Sequence, residues 1–244
     1  MQQAISLETV RNLIAIIDKG LVEGVGQPEA GQCCVEAAIC LALGEPHGDE
    51  PTCVHPTDRS LSIALNDKSW SSDEARAQGL RRLAVMQLGT AGTDRDAWLD
   101  KLIELHIRRV VPLALRAAAW VNHRFTDELV LAADRCAAQG TPRAARAARE
   151  IANKAAADAA DAAAAAAYAA DVAAYAAYAA AAAAYAADAD AAAYAADAAA
   201  AAAAERSRLR DFVLSEAARC VEMAYEQTGS TGLDLLLEME REAA

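Results

Sequence analysis

The sequence predicts an all-α protein: a multi-helix N-terminal domain, then an alanine-rich helical repeat region and C-terminal helices. Three observations carry that expectation. Alanine, the strongest helix former, supplies 68 of the 244 residues. Apolar residues before position 140 recur at helical spacing between recognisable cap and stop residues. No stretch shows the alternation or turn punctuation of a strand and hairpin.

Taken in order, Ser6 to Lys19 reads as a first helix with Val10, Leu13, Ile14 and Ile17 on one face and Gly20 just beyond it. Gln32 to Leu43 reads as a second, closed by Gly44 in the left-handed conformation and by Pro46. Residues 44–58 hold three prolines and two glycines, which predicts a long loop that is either functional or tied down. Arg59 to Lys68 reads as a helix, and Ser71 with Glu74 forms a capping-box pattern opening the next, which Gly89 ends. Thr93 with Asp96 caps a helix through Trp98, Leu102 and Leu105, in which Pro112 predicts a kink or break. Thr126 starts another that stops near Gly140, and Thr141-Pro142 restarts the chain with proline at the first helical position. A last amphipathic helix runs from Leu233 to Glu242. These signals divide the chain into a helical domain at 1–140 and the alanine-rich and C-terminal helices at 141–244.

The charge balance is 23 Lys and Arg against 35 Asp and Glu, a net −12. That argues against direct DNA binding, which needs a basic face, and favours a basic protein partner. Residues 101–150 run the other way, and their arginines include Arg108, Arg109, Arg116, Arg135, Arg143 and Arg146. They read either as an anion-binding face or as a solvated surface facing acidic neighbours. No membrane span is expected. The alanine tract is long enough, but Asp158, Asp161, Asp171, Asp188, Asp190 and Asp197 interrupt it, each costing about 2.5–3.5 kcal/mol at mid-bilayer. The first residues lack a secretory pattern and the six cysteines lack a disulfide framework, so a reducing cytoplasm is the expected setting.

Within 151–204, alanine fills 39 of 54 positions, with tyrosines and aspartates spaced among them. No glycine or proline occurs from 143 to 228, which taken alone gives one helix of about 130 Å at 1.5 Å per residue. A compact chain of this length spans only about 45 Å. The tract is therefore expected to break, with Asp171 and the Asp188/Asp190 pair capping the new helices. Homo-oligomerisation through this alanine-rich region is a further expectation.

Chemistry concentrates between residues 27 and 58, at Cys33, Cys34, Glu36, Cys40, His47, Asp49, Cys53, His55 and Asp58, and two functional readings fit. Cys40, His47, Cys53 and His55 supply four N and S ligands within sixteen residues, a set zinc tolerates. Alternatively Cys33 or Cys34, near a helix amino terminus whose dipole lowers a thiol pKa, serves as a nucleophile with His55 as base and Gln27 six positions before Cys33. The same residues also read as plain structure, with small cysteines packing a helix and His47 and Asp49 bonding to the loop backbone.

Two stretches carry resemblances. The run Cys34-Val35-Glu36-Ala37 through Gly44-Glu45-Pro46-His47-Gly48-Asp49 and Cys53 to Leu65-Asn66-Asp67 resembles a block in alanine-rich bacterial and phage proteins, with which no activity comes. The run Leu131-Ala132-Ala133-Asp134-Arg135 through Gly140-Thr141-Pro142-Arg143 and into the repeats resembles helical immunity proteins of bacterial conflict systems, which implies an all-helical fold. The function expected is a non-enzymatic helical interaction protein of a bacterium or phage, an immunity or anti-defence factor binding another protein. The alternative is a metal-binding protein or cysteine-dependent enzyme centred on residues 33–58.

Overall fold

A computed structural model of the chain describes residues 5–161 and 207–243. The expected breaks at Asp171, Asp188 and Asp190 lie outside the described residues. The described chain is mostly helical: α1 Leu7–Ile17, α2 Val35–Leu43, α3 Pro56–Asn66, α4 Asp73–Met86, α5 Asp96–Val121, α6 Thr126–Gln139, α7 Pro142–Asp161, α8 Ser207–Thr228 and α9 Thr231–Glu242. Extended pairing among the described residues is limited to one isolated bridge between Gly26 and Cys33. No described helix is long and apolar enough to cross a membrane.

Side chains set most helix starts. Ser6 accepts the Thr9 N–H while Thr9 accepts the Ser6 N–H, a reciprocal cap that fixes α1. Gly44 closes α2 at φ +69°, as its sequence position requires. Other boundaries differ from expectation. α2 begins at Val35 rather than Gln32, because residues 22–34 form a tight loop in which the Val22 N–H donates to the Cys33 carbonyl and the Cys34 N–H to the Val25 carbonyl. α3 begins three residues early, with Pro56 at its first position and His55 as cap. Ser72, not Ser71, caps α4 by accepting the Ala75 N–H. Thr93 does not cap α5: its hydroxyl donates to the Thr90 carbonyl, and Asp94 accepts the Asp96 N–H instead. Pro112 does not break α5. Its cost is a lost N–H bond and crowding of the preceding turn, and the burial of Val110, Val111, Ala114 and Leu115 around it outweighs that.

The chain divides into two compact units, Met1–Trp98 with Val221–Ala244, and Leu99–Cys220. Position 140, where the sequence signals placed a boundary, lies between α6 and α7 inside the second unit. In the first unit, α1 packs on α2, α4 and α9, and α2 packs on α3 and α4. The apolar core is built on Leu13, Ile17, Ile39, Leu61, Leu65, Leu80, Leu83 and Met86. Asn66 and Arg76 anchor the backbone around it. The Asn66 side chain accepts the Val35 N–H and donates to the Val22 carbonyl, and Arg76 donates to the Asn66 and Leu21 carbonyls. In the second unit, Ile107, Val111 and Leu115 of α5 meet an almost purely alanine face formed by Ala132, Ala133, Ala145, Ala148 and Ala152. Small side chains let α6 and α7 lie close, so dispersion between backbones replaces bulky side-chain burial.

Candidate functional site

Within the first unit, five helices deliver polar side chains to one buried place. Glu36 enters from the first turn of α2, and Asp58 and Ser62, one turn apart, from α3. Gln87 ends α4, Arg95 and Trp98 come from the start of α5, and Tyr225 from α8. All seven are buried. Gln87 Nε2 donates to Glu36 Oε1 at 2.8 Å and to Ser62 Oγ at 3.3 Å. Arg95 Nη2 donates to Asp58 Oδ2 at 2.7 Å. The Trp98 and Tyr225 rings lie 5.3 Å apart, tilted by 39°, and the Arg95 guanidinium carbon is 5.4 Å from each ring centroid.

Burial governs the electrostatics. It pushes the Glu36 carboxyl up to about 8, although Ser62 and Gln87 hydrogen bonds pull the other way. Glu36 is therefore a neutral acid at pH 7. Burial also raises Asp58, against the pull of Arg95, and holds the Tyr225 phenol well above its usual value. Glu36 Oε2, Gln87 Oε1, Asp58 Oδ1, Arg95 Nε and Trp98 Nε1 are buried without a hydrogen-bond partner among the described residues.

The residues singled out from sequence lie next to this cluster but are engaged differently. Cys34 caps α2 with its sulfur, accepting the Ala37 N–H at 3.4 Å. The helix terminus was expected to lower its thiol pKa; burial instead pushes Cys34 up to about 11 and raises Cys33 as well. Burial pushes Cys40 up to about 12 and Cys53 to about 11. His55 Nδ1 accepts the Thr57 N–H at 3.1 Å, so this ring nitrogen serves the α3 cap. His47 Nε2 donates to the Gly26 carbonyl at 3.1 Å. Among the described residues, no group of three or more His, Cys, Asp or Glu side chains is arranged to hold a metal ion. The 44–55 loop is tied by protein groups. Glu45 accepts from the Thr52 N–H and hydroxyl, Arg59 pairs with Glu50, and the Ala91 N–H donates to the Cys53 carbonyl. His106, in the second unit, is buried with Nδ1 donating to the Leu102 carbonyl, and burial pushes its pKa down to about 4.

Sequence reasoning noted Glu36 and Asp58 but missed Gln87, Arg95, Trp98 and Tyr225. The one local signal was Gln87, a polar residue inside the apolar run Val85-Met86-Gln87-Leu88.

A second feature lies on the surface of the other unit. Trp120 is 79% exposed, Leu131 51% and Val130 36%. Arg116 of α5 bonds Asp134 of α6 at 2.8 Å, which fixes the register of the two helices. One turn onward along α5 is Trp120, and one turn back along α6 are Val130 and Leu131. The three apolar side chains therefore share one face. Asp127 and Glu128, both exposed, flank it. No family model, curated protein or solved structure matches this chain.

Proposed function

We propose that the chain is a non-enzymatic helical interaction protein that docks a basic protein partner through Trp120, Val130 and Leu131. The exposure of Trp120 carries this reading. Tryptophan is the side chain most enriched among residues that dominate binding energy, and leaving one in water has no folding benefit. Asp127 and Glu128, exposed beside the patch, favour a basic surface opposite. An immunity or anti-defence role between bacterium and phage is the biological setting that the sequence resemblance suggests. The enzymatic alternative draws less support, because the candidate thiols are buried and held protonated.

A photo-crosslinking residue placed at Leu131 and activated in the native host tests the proposal. The expected product joins this chain to one basic protein, whose purified form binds saturably. Trp120→Glu and Leu131→Glu should each weaken that binding more than tenfold while leaving the helical content unchanged. Binding that survives both substitutions would overturn the proposal.

A further inference from the structure

We infer that the seam between α6 and α7 is a binding site for a small organic anion with an apolar body, a carboxylate or a phosphate monoester. A cavity of about 430 Å³ opens there, a size that fits small-molecule ligands. It exists because the two helices meet through alanines. Side chains that end at Cβ bring the backbones together but leave the space above the seam unfilled. Arg135 and Gln139 of α6 wall one side and Arg143 of α7 the other, over a floor that includes Ala144, Ala148 and Ile151.

The charges argue for an anion. Several arginines of this unit have partners: Arg109 holds Glu216, Arg116 holds Asp134, and Arg108 holds Glu104, whereas Arg146 lines no cavity and, among the described residues, is unpaired. Arg135 and Arg143 form no ion pair or hydrogen bond among the described residues, yet they line one cavity. Both guanidiniums are exposed and border one shared space, and each offers a planar fork matched to carboxylate or phosphate oxygens, so one anion can engage both. Two features of the helix ends reinforce this. Arg143 stands in the first turn of α7, where the helix dipole also favours negative charge. The opposing carbonyl end of α6 is covered, because Arg108 donates to the carbonyls of Ala137, Ala138 and Gln139. The methyl floor offers nothing to a fully hydrated ion, so the remainder of the ligand is apolar.

Titration calorimetry of the full chain with octanoate and with hexyl phosphate tests the site. Inorganic phosphate and octylamine serve as comparison probes. One-to-one binding of at least one alkyl anion is expected, with inorganic phosphate at least tenfold weaker and no heat from octylamine. Tighter octanoate identifies a carboxylate ligand, and tighter hexyl phosphate identifies a phosphate ester. Arg135→Gln and Arg143→Gln should each weaken binding about tenfold or more. Ala147→Trp, at an exposed position of the same wall, should block it by filling the cavity, and circular dichroism checks that each variant folds. The absence of saturable binding by either alkyl anion at millimolar concentration would overturn the inference. So would affinity that is unchanged in both arginine variants, or inorganic phosphate binding as well as octanoate.

Discussion

Arg95 donates to Asp58 at 2.7 Å with both side chains buried, and its guanidinium carbon lies 5.4 Å from the ring centroids of Trp98 and Tyr225. The two aromatic faces replace part of the water the cation has lost, and the carboxylate supplies the counter-charge. Such a pair adds little stability over well-packed apolar residues, but removing one partner leaves the other charge stranded. Asp58→Asn should therefore destabilise the chain by about 3–5 kcal/mol in urea unfolding. Asp58→Leu combined with Arg95→Met should recover most of that loss. A cost below about 1 kcal/mol for Asp58→Asn would show that the pair is solvated after all.

Glu36 makes stability depend on pH. Its carboxyl titrates near 8 in the folded chain against an ordinary 4.5, so the folded state binds the extra proton. The stability this contributes is fully present below pH 4.5 and is lost as pH rises through about 8. His106 has the opposite sign: its folded pKa near 4 lies below the ordinary 6.5. Its contribution is present above 6.5 and is lost as pH falls through about 4. Glu36→Gln keeps the acceptor for Gln87 and cannot ionise. Melting temperatures from pH 5 to 9 should fall on the alkaline side for the wild type, and less steeply for Glu36→Gln. Parallel curves would place the Glu36 titration outside this range.

Thiol chemistry separates the structural reading of residues 33–53 from the nucleophile reading. Cys33, Cys34, Cys40, Cys53, Cys136 and Cys220 are all buried thiols outside any disulfide. With Cys34 and Cys53 held near 11 and Cys40 near 12, almost no thiolate exists at pH 8. The native chain should resist an aromatic disulfide reagent on the timescale in which the urea-unfolded chain reacts at all six positions. A fast native reaction mapped to Cys33 or Cys34 would revive the nucleophile.

What was legible in the sequence follows the range of the interactions. Ser6, Gly44, Gly140 and Pro142 act within a turn of themselves, and each marks its helix end as its type predicts. His55 was misread because its cap uses a ring nitrogen instead of the usual hydroxyl or carboxylate. The polar cluster was only half visible. Glu36 and Asp58 stood out within one segment, but Gln87, Arg95 and Tyr225 join them across 51, 37 and about 170 residues of chain. Nothing local marks a residue as buried against partners so distant. The Cys34 error has the same origin: its place at a helix terminus was readable, and its depth was not.

The last prediction compares two glycines that end helices in the same way but have different neighbours. Gly44 closes α2 at φ +69° and Gly140 closes α6 at φ +62°, so alanine at either position suffers the left-handed strain of about 1–2 kcal/mol. A Cβ at Gly44 would meet nothing within 4 Å, and Gly44→Ala should cost that strain alone. A Cβ at Gly140 would fall 2.4 Å from Arg108 Nε and 2.8 Å from its Cζ. Arg108 is not free to swing aside without loss, because it donates to the Ala137, Ala138 and Gln139 carbonyls and pairs with Glu104. Gly140→Ala should therefore cost about 1–2 kcal/mol more than Gly44→Ala, the value of the charged hydrogen bonds it disrupts. A double-mutant cycle isolates the mechanism. With Arg108→Ala already in place, the obstacle is gone, and adding Gly140→Ala should cost only the backbone strain. The two substitutions should thus couple by about 1 kcal/mol or more. Strict additivity would mean that the Arg108 side chain does not lie across the end of α6.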